Sequence, residues 1–61
     1  MFIELSLKKV ACTVNVIQIT AFWPYLETNG TKLIFSNDAE MIFDTSYLEV
    51  KQKIKEAMDQ M

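Results

Sequence analysis

The sequence predicts an α+β domain of about five short antiparallel strands, forming a curled sheet or a small open barrel, followed by one C-terminal amphipathic helix. Three observations predict it. Apolar and polar residues alternate in short runs between Phe2 and Asp44, the period of half-buried strands. Asn29-Gly30, the dipeptide that best supplies the positive φ angles of a type I′ hairpin turn, falls midway along the chain. From Thr45 onward the apolar spacing changes to steps of three and four, the period of a helix.

The first strand is "FIELSL", Phe2 to Leu7, where Ile3, Leu5 and Leu7 alternate with Phe2, Glu4 and Ser6. Lys8 and Lys9 break the run, and "VACTV" resumes it with Val10, Cys12 and Val14 on one side. The two strands read as a hairpin. Asn15, a residue that tolerates turn geometry, separates them from a third strand, "VIQITAFW". Here strict alternation groups Ile17, Ile19, Ala21 and Trp23 against Val16, Gln18, Thr20 and Phe22, so Trp23 is expected in the core and Phe22 on the more polar face. Pro24 cannot donate to a ladder, so the strand ends there or continues as an edge or bulge through Tyr25 and Leu26.

After Asn29-Gly30 the chain returns as "TKLIFS", with Leu33 and Phe35 on one face and Lys32, Ile34 and Ser36 on the other. "NDAE" forms a second turn, and "MIFD", Met41 to Asp44, a short fifth strand. The helix, about 46–60, carries Tyr47, Val50, Ile54, Ala57, Met58 and Met61 on one stripe. Its start is marked by Ser46 with Glu49 three residues on, the spacing of a capping box. Strands three and four are apolar on both faces, and one helix cannot cover two; either the sheet curls round its own core or a second subunit covers the remainder.

Composition bounds what such a domain does. With 61 residues the chain is a single small domain, 1–61, without linker or repeat. A domain of this length buries only about 60% of the surface its unfolded chain exposes, and so gains from self-association. Its 51% hydrophobic residues exclude a disordered chain. One cysteine, Cys12, cannot form an internal disulfide, which fits a reducing compartment. The start "MFIELSLKKV" lacks the basic and long apolar regions of a secretory signal, and no run approaches the ~20 apolar residues of a membrane span. A soluble, cytoplasmic protein is expected, without membrane contact.

Six lysines face eight acids, and neither histidine nor arginine is present. No catalytic triad or Cys-His pair can be assembled, and the forked donor that reads phosphates and guanine edges is missing. Cys12, in phase with Val10 and Val14, reads as a small buried hydrophobe. The acids Glu4, Glu27, Asp38, Glu40 and Asp44 match no metal-binding loop. Lys51, Lys53 and Lys55 do not share one helical face. No enzyme, cofactor or metal site is therefore expected.

Taken together, "FIEL", "VNVIQI", the proline and turn, "TKLIF" and "SYLEVKQKI" resemble the FlbD-like family of small bacterial proteins, named from flagellar operons, and similar short chains of phages and mobile elements. The resemblance covers most of the chain and implies neither enzymatic activity nor cofactor. Where relatives often carry glycine in the second turn, this chain has "SNDAE". The order of its last strands and helix is also similar to the end of LytTR-type DNA-binding domains, which are longer and use basic loop residues.

The expected function is that of a non-catalytic interaction module, an accessory or regulatory protein that binds another protein or itself as a homo-oligomer, of phage or mobile-element origin. The alternative is a small DNA- or RNA-binding transcriptional regulator, which the net charge of −2 and the missing arginine disfavour. Phe22 and Tyr25 are the candidate interface residues, as aromatics beside a free strand edge.

Overall fold

The computed structural model describes residues 1–60. Five antiparallel strands precede one helix: β1 (Phe2–Leu7), β2 (Val10–Asn15), β3 (Ile19–Tyr25), β4 (Gly30–Phe35), β5 (Glu40–Phe43) and α1 (Tyr47–Asp59). The strands form two sheets, β1-β2 and β3-β4-β5, and no closed barrel. The α+β expectation holds. Ile3, Leu5, Val14, Val16, Leu33, Phe43 and Val50 make the buried core, to which both sheets and the helix contribute.

The first hairpin closes through two residues, because Leu7 pairs with Val10. Lys8 and Lys9 both have positive φ, 50° and 67°. That is the backbone signature of a type I′ turn, adopted here by side chains that resist it. Asp44 holds the turn in place: its carboxylate accepts from the Lys9 amide at 2.7 Å and from the Ser6 hydroxyl at 3.2 Å.

The expected type I′ turn at Asn29-Gly30 is corrected. Asn29 does have positive φ, 56°, but Gly30 does not. Gly30 already pairs with Tyr25 as the first residue of β4, so the loop has four residues, 26–29. The glycine is needed for space: a Cβ at this position would run into the carbonyl oxygen of Phe43 on β5. In the next turn, where the resemblance leads one to expect glycine, Asp38 takes the left-handed conformation with φ 67°, and Asn37 accepts from the Ala39 amide at 3.1 Å.

The third strand also departs from the expected pattern. Val16–Gln18 is a single 3-10 turn, with the Asn15 side chain accepting from the Ile17 amide at 3.3 Å. β3 begins only at Ile19 and runs through Pro24, which an edge strand tolerates. Between Ile19 and Ala21 the register shifts, because Ile19 pairs with Phe35 and Ala21 with Ile34, leaving Thr20 as the extra residue of a bulge. One extra residue inverts every later side chain. Phe22, opposite the fully buried Leu33, therefore packs against the core, while Trp23 lies on the outer face and is 41% exposed. The expectation of Trp23 in the core and Phe22 outside is thus reversed. Ahead of the bulge, the 3-10 turn breaks the alternation in its own way: Val16 is buried and Ile17 exposed.

Leu33 points inward, on the face opposite Lys32 and Ile34, Cys12 is half-buried against the core, and Val10, beside the turn, is exposed. The Ser46 hydroxyl caps α1 by accepting from the Glu49 amide at 3.3 Å. Val50 is fully buried, Ile54 and Ala57 pack against the core, and Met58 is exposed. Met61, placed by its spacing on the same stripe, lies outside the described residues.

Two positive-φ lysines in one turn cost stability that a permissive pair does not. Lys8→Asn/Lys9→Gly keeps the amide that Asp44 binds and should stabilise the protein by about 1 kcal/mol. The expected result is a higher urea midpoint at unchanged slope.

Candidate interaction surface

Among the described residues, the apolar regions left without cover include two that bear on Phe22 and Tyr25. The first is the outer face of the β3-β4-β5 sheet. In register, Trp23 lies beside Lys32 and Lys32 beside Ile42, while Ala21, Ile34 and Glu40 form the neighbouring row. Trp23 and Ile42 are 41% and 39% exposed, Ile34 and Tyr25 are half-buried, and α1 packs on the opposite face of this sheet, against the inward side chains. Lys32 organises the face: its Nζ lies 2.7 Å from the Glu40 carboxylate and 5.8 Å from the centre of the Trp23 ring. The hydrogen bond to Glu40, with the attraction of its charge, raises the Lys32 pKa above its ordinary value.

Tyr25 ends the same face. Its hydroxyl donates to Glu27 at 2.7 Å, and this hydrogen bond, followed by the carboxylate's charge, raises the phenol's pKa. The contact fixes the ring at the mouth of the 26–29 loop, beside the exposed Leu26.

The second region is an open groove of about 580 Å³ between α1 on one side and the 3-10 turn and start of β3 on the other. Phe22 and Tyr47 form part of its lining, their ring centres 5.5 Å apart and tilted by 38°. Ile54 and Met58 extend the helical wall, and Ile17 and Ile19 the opposite one. Ile17 and Met58 are 66% and 57% exposed, which leaves the groove a trough and not an enclosed cavity.

The two sequence-derived candidates thus belong to different surfaces. Tyr25 stands on the outer sheet face, and Phe22 lies inside the groove. Sequence reasoning missed Trp23, Ile34 and Ile42 as a shared exposed face, because the bulge at Thr20 carries no glycine or proline to mark it. Among the described residues, no three Cys, Asp or Glu side chains gather as a metal site requires, and no helix is long and apolar enough to cross a membrane.

The arrangement defines a class: a small α+β domain with exposed apolar surface on the outer sheet face and in a groove beside the helix. No family model, curated protein or solved structure matches the chain.

With Glu27 ionised, the raised phenol pKa has a definite sign. The stabilisation is complete below the ordinary tyrosine value and is lost as pH climbs through the raised, folded-state value. In Tyr47→Phe protein, whose one tyrosine is Tyr25, absorbance titration should give a phenol midpoint above that of free tyrosine. Glu27→Gln should lower it towards the ordinary value.

Proposed function

We propose that this chain is a non-catalytic interaction module, acting by contact with another protein or with a second copy of itself. The outer sheet face carries this reading. Trp23, Tyr25, Ile34 and Ile42 form one contiguous face spanning three strands, with a lysine and a glutamate paired at its middle. Aromatic and aliphatic side chains around a neutralised charge pair are the composition of an interface centre, where unpaired charge is costly and large apolar surface is favourable. A chain this small also gains from the cover, since its own core is thin.

The flat face suits a second sheet better than a small ligand, because a compact ligand needs a concave site to bury most of its surface. An accessory or regulatory role in the cytoplasm follows from the same reading together with the lone cysteine. The FlbD-like assignment rests on the order of "FIEL", "VNVIQI", "TKLIF" and "SYLEVKQKI", and a flagellar, phage or mobile-element setting rests on that assignment.

Sedimentation at high micromolar concentration should show association that Trp23→Ser/Ile42→Ser abolishes while circular dichroism stays unchanged. If the protein is monomeric, capture from bacterial lysate should recover a partner that the same variant fails to hold. A protein that is monomeric and captures nothing through this face contradicts the proposal. A mobility shift of DNA or RNA at low salt, unaffected by these substitutions, would favour the nucleic-acid reading instead.

A further inference from the structure

The charges of α1 are sorted relative to the groove. On a helix, residues three and four apart are neighbours, so Lys51 stands beside Tyr47 and Ile54, and Lys55 beside Lys51 and Met58. Tyr47, Ile54 and Met58 are the groove's helical wall. The two lysines therefore follow its rim, one turn apart. Glu49 and Glu56 fall on the back of the helix, where Glu56 accepts from the Gln52 side chain at 2.9 Å. Lys53 is turned to the β1 side, and donates to the Glu4 carbonyl at 2.9 Å.

No acid from the other wall offsets this rim, since Ile17, Ile19, Thr20, Ala21 and Phe22 are uncharged. Asp59, one turn beyond Lys55, is the one acid within a three- or four-residue step of the pair on the helix. Among the described residues the only salt bridge is Lys32–Glu40, so neither Lys51 nor Lys55 is ion-paired. Two like charges at i,i+4 repel, and the pair stabilises only what brings negative charge to it. A chain of net charge −2 thus presents a locally positive flank to an apolar trough.

The trough's dimensions narrow the occupant. From Tyr47 to Met58 the helical wall is roughly 16 Å long at ~1.5 Å per residue, about three helical turns. Its open rim, with Ile17 and Met58 exposed, does not enclose a small amphiphile but admits a helix laid along it. We propose that this groove receives an acidic amphipathic helix of a partner protein, its apolar face against Phe22, Tyr47, Ile54 and Met58 and its carboxylates paired with Lys51 and Lys55. This deepens the interaction-module reading by naming a partner class, and it uses a surface distinct from the Trp23 face.

The test uses the whole protein and a fluorescent amphipathic peptide of about four helical turns, built from leucine, alanine and glutamate, with a lysine-for-glutamate counterpart. Fluorescence anisotropy should show binding of the acidic peptide only, weakened by salt. Lys51→Glu/Lys55→Glu, both at exposed positions, should weaken it about tenfold and allow the lysine peptide to bind instead. Trp23→Ser/Ile42→Ser should leave it unchanged, which separates this outcome from that of the sheet face. Equal binding of both peptides, binding indifferent to the lysine reversal, or binding of dodecanoate without binding of the acidic peptide overturns the proposal. Self-association abolished by the lysine reversal would assign the groove to a second copy, and overturns it too.

Discussion

Thr45 is the residue on which the rest of the molecule is hung. It lies between β5 and the helix cap, is 7% exposed, and spends its carbonyl and its hydroxyl on other elements. Its carbonyl accepts from the fully buried Thr31 hydroxyl of β4 at 2.7 Å, and its own hydroxyl accepts from the Ser6 amide of β1 at 2.8 Å. Beside it, the Asp44 amide donates to the Ser6 carbonyl at 2.7 Å. Buried polar groups left unpaired cost about 1–3 kcal/mol each, so these bonds allow one placement of the two sheets and few others. Val50, Phe43 and Leu33, all fully buried, come from three of the four elements that meet there.

That placement also decides what stays uncovered. Because β1-β2 is joined to β5 at Ser6, and the helix leaves directly from the junction, α1 lies against the inner side chains and never reaches the outer face of β3-β4-β5. The helix fills the core with Val50 but only flanks β3, and the trough over Phe22 results. Both exposed apolar regions are thus consequences of one short connection. The two proposed partners differ accordingly, a flat one for the sheet face and a rod-like one for the trough.

Much of the fold was legible, for reasons that differ by element. Alternation placed β1, β2 and β4 because half-buried strands expose one face to water, and Leu33 and Val14 sit where that period put them. The helix and its Ser46 cap were readable because both signals are local. The Thr20 bulge was not, since an extra threonine in a β-branched run looks like more strand; it alone exchanged the roles of Phe22 and Trp23. Nor does any sequence signal mark Lys8-Lys9 as a type I′ turn, because its positive φ angles are held by Asp44, thirty-five residues away along the chain. Gly30 was conspicuous, but its purpose, clearance for the Phe43 carbonyl, depends on β5 and not on its own φ. Of the site, Tyr25 was placed beside an exposed edge, while the face that surrounds it needs cross-strand register to be seen.

Native-state hydrogen exchange at the Ser6 and Asp44 amides tests the junction most directly. If Thr45 fixes the two sheets, both amides should exchange only through global unfolding, as slowly as those of the β3-β4 ladder, and Thr45→Val should release Ser6 before the ladder opens. Fast exchange at Ser6 and Asp44 in the unaltered protein, with the β3-β4 ladder still protected, would show that the sheets are held together by something else.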